Sequence, residues 1–146
     1  MAAVSNTPVE VANRLRPVLL HLNRHLRREV HTSGVSAGQL SVLGGIRDNP
    51  GIGVQELAIR EGTSMPSVSN HIDRLEASGL VTRRQAERDR RRVDLEVTPE
   101  GLRVLKVIRS KRTAWLSARL GALADVDLAA IAGAIGPLEA LLGQAE

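Results

Sequence analysis

Three residues with side chains suited to reading a nucleic-acid duplex fall on one arc of a predicted helix over residues 65–78: Ser67, Asn70 and Arg74. Their spacing of three and four is helical. Met65, Val68, Ile72 and Leu75 recur at i, i+3, i+7 and i+10 and make an apolar stripe that packs inward. The opposite arc carries Pro66, Ser67, Asn70, Asp73 and Arg74, all polar or short, with a single acid. A guanidinium can donate two hydrogen bonds to guanine, and a carboxamide can pair with adenine in the same bidentate way. A helix held by one face and offering these groups on the other suits the major groove of DNA. Each residue also has a plainer reading. Arg74 and Asn70 can touch phosphate or solvent only, since roughly half to two-thirds of protein–DNA hydrogen bonds go to the backbone. Ser64 and Ser67 lie at the helix N-terminus, where free N–H groups attract phosphate; simple capping is the favoured reading for Ser64. His71 flanks the arc and either meets phosphate or sits at the helix edge.

A second cluster follows in the chain. Residues 83–92 hold six arginines against Glu87 and Asp89, a net +4. The whole chain carries 20 Lys and Arg against 16 Asp and Glu, also +4, so the remainder is balanced. A neutral body with one basic finger points to a localised polyanion contact. Charge runs are usually solvated faces, but this one lies between two predicted strands, directly after the helix just described. Arg88 and Arg90 are placed to meet phosphates. Asp89 fits such a loop if it pairs with Arg91 or another neighbouring arginine.

These clusters need elements to hold them. Residues 1–8 read as a loose, flexible N-terminus. An amphipathic helix runs from about Val9 to Val30 through Val11, Leu15, Val18, Leu19, Leu22 and Leu26, with a kink or a fresh start at Pro17. Its outward face carries Arg14, Arg24, Arg27 and Arg28. After a turn at 32–35, Ser36 and Gln39 have capping-box spacing and open a helix bearing Leu40, Leu43 and Ile46. Asp48-Asn-Pro-Gly51 breaks it. Gly53 precedes a short helix from Val54 to Arg60, and Glu61, Gly62 and Thr63 make the turn into the 65–78 helix. Gly79 ends that helix. Leu80 to Gln85 read as a strand; Val93, Leu95 and Val97 alternate with polar residues as its antiparallel partner. Thr98-Pro99-Glu100 opens a helix to about Leu120, with one stripe of Leu102, Leu105, Leu116 and Leu120 and another of Val104, Ile108 and Trp115. Asp125-Val-Asp127 opens the last helix, kinked at Pro137. The end helices are more apolar than a small unit can cover, which implies packing on a second copy. The fold class is mostly α with a small antiparallel β-wing. A winged helix-turn-helix spans 36–98, and 9–35 with 99–146 make a helical dimerisation region.

Composition removes other classes. Cysteine, Phe and Tyr are absent and Trp115 is the sole aromatic. Thiol chemistry is excluded, and single-stranded nucleic acid, usually held by stacking on aromatics, is disfavoured against duplex DNA. No apolar run spans a membrane and no signal segment is evident, so the cytoplasm is the expected compartment. No nucleophile–base pair, phosphate loop or carboxylate cluster points to an enzyme. His21 and His25 are spaced for a metal pair but lack a third ligand nearby. A solvated or dimer-edge pair is the preferred reading, and neither metal nor cofactor is expected. Trp115 reads as core, or as the lining of a ligand cavity in the dimer lobe.

The order of elements resembles the MarR (multiple antibiotic resistance regulator) family of bacterial transcription factors. Ser67-Val-Ser-Asn-His-Ile-Asp-Arg-Leu-Glu-Ala-Ser-Gly-Leu-Val81 looks like that family's recognition helix and its exit into the wing. Asp89-Arg-Arg-Arg-Val-Asp-Leu-Glu-Val-Thr-Pro-Glu-Gly101 looks like its Asp-x-Arg … Leu-Thr-x-x-Gly wing signature. Val97 stands where Leu is commoner, and Arg92 where a Gly often falls. The resemblance runs from about Val9 to Leu142. It implies a homodimer bound to a pseudo-palindromic operator, most often as a repressor, and released by a small phenolic or anionic effector. By position it implies that Asp89 braces the wing, that Arg91 enters the minor groove, and that Ser67, Asn70 and Arg74 face the major groove. An arginine so inserted reads A·T-rich groove shape. The alternative is a winged-helix module for protein–protein contact, whose binding would be indifferent to salt.

Overall fold

The structure is a computed structural model, and it describes residues 6–143. Helix α1, Pro8–Arg28, opens with Thr7 as its N-cap, and Thr7 and Glu10 form a reciprocal capping box. Thr7 and Pro8 are therefore built into a helix start and do not belong to a loose end. The rest of the expected flexible segment, up to residue 5, lies outside the described residues. Pro17 sits inside α1 without starting a new helix. A 3-10 turn at His31–Ser33 follows. Helix α2, Ala37–Asp48, starts at the expected capping box: the Gln39 amide donates to Ser36 Oγ at 3.1 Å and the Ser36 amide to Gln39 Oε1 at 3.2 Å. Two of the four orphan N–H groups at the junction are satisfied by these two side chains. Helix α3 runs Val54–Glu61, so Glu61 closes the helix rather than joining the turn, and the Ser41 hydroxyl of α2 donates to its carboxylate.

Helix α4, Met65–Ala77, packs on α2 and α3. It ends as sequence requires at Gly79, which adopts φ 74°. The Leu80 amide bonds the Leu75 carbonyl at 2.9 Å and the Gly79 amide bonds that of Glu76 at 3.0 Å, the paired bonds of a Schellman stop. Leu80 and Leu75 are both buried, which supplies the apolar contact of that motif. Leu80 thus belongs to the helix stop, and strand β1 begins one residue later than expected, at Val81–Gln85. Strand β2, Val93–Val97, pairs with it antiparallel, in register from Val81↔Val97 to Gln85↔Val93. Helix α5, Pro99–Leu120, and helix α6, Asp125–Leu142, complete the chain.

Two compact units divide after Ser110, within α5. In the first, one core joins α2, α3, α4, the ribbon and the first half of α5 through Leu43, Ile46, Leu57, Val68, Ile72, Leu75, Leu95 and Ile108, each at most 2% exposed. No polar or charged residue is buried among the described residues. Met65 departs from the inward stripe: it is the first residue of α4 and is 47% exposed. Also in this unit, α1 buries no residue and leaves Val9, Val11, Val18, Leu19, Leu20 and Leu22 exposed. The second unit holds the end of α5 and α6. Helix α6 likewise buries nothing and exposes Val126, Leu128, Ile131, Ile135, Leu141 and Leu142.

Candidate nucleic-acid interface

Helix α4 is fixed at both ends and along one side, so its free face is defined. The Ser64 hydroxyl accepts the Ser67 amide at 3.3 Å, the capping role expected of it. Pro66, Asn70, Asp73 and Arg74 are exposed, and Ser67 is half-buried. Asn70 and Arg74 make no side-chain hydrogen bond or ion pair among the described residues, which leaves their donors available. Asp73, the single acid on this face, is engaged by the Arg83 guanidinium of β1 at 2.6 Å, with Glu76 at 4.0 Å from the same arginine. The carboxylate that would repel phosphate is thereby partly neutralised.

His71 is turned away from this face. A methyl group placed on Gly38 of α2 would lie 2.8 Å from His71 Nε2, so the imidazole packs over the first turn of α2. Its Nδ1 is buried without a hydrogen-bond partner. The absent side chain of Gly38 leaves the space that the ring occupies. Of the candidates on α4, His71 is the one that the structure does not bring to the outward set.

The wing separates its six arginines into two groups. Arg83 is held by Asp73; Arg84 pairs with Glu96 across the ribbon at 3.5 Å; Arg92 pairs with Asp94 at 3.4 Å and donates to the Gly51 carbonyl at 2.7 Å. Arg88, Arg90 and Arg91 are exposed at the tip, with no side-chain partner among the described residues. The tip is ordered by backbone bonds. The Ala86 amide donates to the Arg92 carbonyl at 2.9 Å and the Arg92 amide to the Asp89 carbonyl at 3.0 Å. Asp89 Oδ1 accepts the Arg91 backbone amide at 3.0 Å, so Asp89 engages the main chain of Arg91 and not its guanidinium. Gln85 Nε2 adds a bond to the Arg90 carbonyl at 2.9 Å.

The root of the wing is equally built. Thr98 Oγ1 donates to the Gly79 carbonyl at 2.6 Å and accepts the Gly101 amide at 3.1 Å; its own amide donates to the Leu80 carbonyl at 3.0 Å. One threonine thus joins the end of α4 to the start of α5. The sequence marks this place as a helix start and as the Thr-x-x-Gly end of the wing signature, and the bonds of Thr98 give that spacing its physical reason.

The remaining candidates lie elsewhere. His21 and His25 stack at 4.9 Å with Nε2 atoms 2.9 Å apart, and no group of three metal-ligating side chains occurs among the described residues. The Arg119 guanidinium covers the Trp115 ring at 3.7 Å in the second unit. An open pocket of about 240 Å³ is lined by Ile46, Arg47, Pro50, Leu95, Glu96, Val97 and Leu102, and Trp115 is not part of it. Two carboxyls are held below the usual range by a neighbouring guanidinium: Asp48 by its hydrogen bond from Arg47, Glu100 by that from Arg103. Both are exposed surface pairs. No helix among the described residues is long and apolar enough to cross a membrane.

Comparison with known proteins agrees with this geometry. The MarR family model matches residues 35–93, from just before α2 to the first residue of β2. An HTH-type transcriptional regulator of Mycobacterium tuberculosis is 32% identical over 118 residues, 81% of this chain and 82% of the relative. The HTH-type transcriptional repressor MdtR of Bacillus subtilis is 26% identical over 114 residues, 78% of this chain and 74% of the relative. The crystal structure of a putative transcriptional regulator from Pseudomonas aeruginosa superposes with a TM-score of 0.78 at 31% identity, covering 97% of this chain and 99% of that one. With the winged helix-turn-helix in place, the family model matching its core and these relatives spanning most of the chain, the chain belongs to the MarR family of DNA-binding transcriptional regulators, a non-enzymatic class.

Proposed function

We propose that this chain acts in the cytoplasm as a homodimeric repressor that binds a pseudo-palindromic operator and is released by a small phenolic or anionic molecule. In this reading the outward face of α4 enters the major groove, with Pro66, Ser67, Asn70 and Arg74 against the bases and backbone. Arg91 enters the adjacent minor groove, while Arg88 and Arg90 meet phosphates. The observation that carries the reading is the sorting of charge: Arg83, Arg84 and Arg92 are satisfied internally, and Arg88, Arg90 and Arg91 at the tip have no side-chain partner among the described residues. Guanidiniums without partners among the described residues, together with Asn70 and Arg74 in the same condition, match what a duplex offers.

The apolar residues left exposed along α1 and α6 support a second copy as partner, since a monomer with such faces would associate. A closed two-fold pair would present two α4 helices, which suits a palindromic site. Repression is the activity of the relative MdtR and is carried to this chain as part of the proposal. The test is a titration of the purified protein on the duplex upstream of its own gene, with and without salicylate. Two monomers per site and release by salicylate are expected; one monomer per site would contradict the dimer.

Base reading by α4 has its own expected result. Asn70→Ala and Arg74→Ala should each weaken binding to the cognate duplex by about 1–3 kcal/mol, and less on random DNA. Equal losses on both duplexes would make these residues phosphate contacts.

A further inference from the structure

The wing is a two-stranded ribbon, and such a hairpin is marginally stable by itself. Its inner half is anchored by Val81 and Leu95, which are 1% and 2% exposed. Its outer half has no such anchor: Gln85 and Val93, the last pair in register, are both exposed. Something else must hold the tip against the body. Arg83 ties the middle of β1 to Asp73 of α4 at 2.6 Å. Beyond Gln85, hydrogen bonds and ion pairs among the described residues stay within the wing, with one exception. That exception is the 2.7 Å bond from the Arg92 guanidinium to the Gly51 carbonyl, across 41 residues of sequence.

We propose that Arg92 positions the wing: by bonding the Gly51 carbonyl in the α2–α3 turn it fixes the angle at which Arg88, Arg90 and Arg91 are offered to DNA. Both ends of this link are tied by local backbone bonds. Arg92 is the base of the tip hairpin, its carbonyl receiving the Ala86 amide and its amide bonding the Asp89 carbonyl. Asp94 holds its guanidinium from the strand side at 3.4 Å. On the other side, the turn is closed by the bond from the Ile52 amide to the Asn49 carbonyl at 3.0 Å, and Ile52 is 3% exposed. Three consecutive arginines therefore divide their work: Arg90 and Arg91 face outward, and Arg92 turns back to the body. A guanidinium can serve two acceptors at once because its donors form a flat fork, which an ammonium on a flexible stem does not reproduce. The sequence alone hides this, because Arg92 reads as one more charge in a basic run.

The proposal rests on the DNA-binding reading of the wing, so the test separates the two. Amide hydrogen exchange over residues 86–92 is measured on the DNA-free protein, and operator affinity is measured across salt for Arg92→Ala, Arg92→Lys, Arg91→Ala and the Arg91→Ala/Arg92→Ala double variant. Arg92→Ala should speed exchange at the tip by about tenfold with the core amides unchanged. It should weaken operator binding by about tenfold, with Arg92→Lys restoring only part, and the double variant should lose clearly less than the product of the two single losses. Unchanged exchange at the tip would overturn the positioning role whatever the DNA results. Additive losses, with a salt slope reduced by about two for the two Arg92 side chains of a dimer, would also overturn it, since Arg92 would then touch phosphate itself. If Arg91→Ala alone leaves operator binding unchanged, the minor-groove reading of the wing fails, and the exchange measurement still decides the positioning role.

Discussion

Gly101→Ala is expected to lower the melting temperature by about 10 °C at fixed protein concentration, a loss of about 3 kcal/mol at the upper end of the usual cost of overpacking. A Cβ at this position would collide with the Leu80 carbonyl oxygen and sit 2.7 Å from Val97 Cγ1. The first of these is backbone, and no rotamer change can move it away. It is also held: the same carbonyl receives the Thr98 amide. Relief would require α5 to back away from the α4 stop, which breaks the Thr98 bonds to Gly79 and Leu80. The expected effect therefore extends to function, with operator binding lost in step with the wing root. Gly44→Ala is the control. It lies within α2 with nothing within 4 Å of the added carbon, and alanine is the better helix former there by roughly 0.5–1 kcal/mol. Its melting temperature should hold or rise. Equal melting temperatures for Gly101→Ala and the parent protein would contradict the packing described at this joint.

Replacing Arg88, Arg90 and Arg91 together by alanine should have the largest effect on binding. A dimer would lose six cations from the DNA contact. Each neutralised phosphate contributes about 0.9 to the slope of log affinity against log salt, so the slope should become shallower by up to about 5. Affinity at moderate salt should fall by at least about a hundredfold on any duplex, since phosphate contacts carry no sequence. The fold should be untouched, because none of the three side chains has a partner among the described residues. Replacing Arg84 by alanine makes the comparison: its Glu96 pairing is on the ribbon itself, and an exposed pair of this kind is worth about 0–1 kcal/mol. A tip variant with the parent's salt slope would remove the wing from the DNA contact.

Much of the fold was legible in the sequence because its boundaries are chemical. Ser36 with Gln39, Gly53, Ser64, Gly79 and Thr98 each mark an end by capping or by a backbone bond that only local sequence decides, and the structure puts helix ends there. The apolar repeat of α4 likewise placed Val68, Ile72 and Leu75 in the core. What escaped was tertiary. Charge counting treats Arg83, Arg84 and Arg92 like Arg88, Arg90 and Arg91, because the partners that distinguish them, Asp73, Glu96, Asp94 and the Gly51 carbonyl, are set by the fold. The inward turn of His71 depends on Gly38, 33 positions earlier on another helix. The capping box of Thr7 and Glu10 was available in the sequence and is the one local signal that a reading of residues 1–8 as a loose end passes over. Pro17 within α1 gives the reverse lesson: a proline costs one helical hydrogen bond, and a 21-residue helix continues through it.

The central claim is that α4 and the wing tip together grip duplex DNA. It is tested most directly by titrating the protein on its upstream duplex and on a random duplex of equal length, at salt concentrations from about 50 to 200 mM. The account expects tighter binding to the upstream duplex at every salt, with affinity for both falling steeply and linearly on logarithmic axes. Binding that is indifferent to salt would contradict it, and would point to a surface made for another protein.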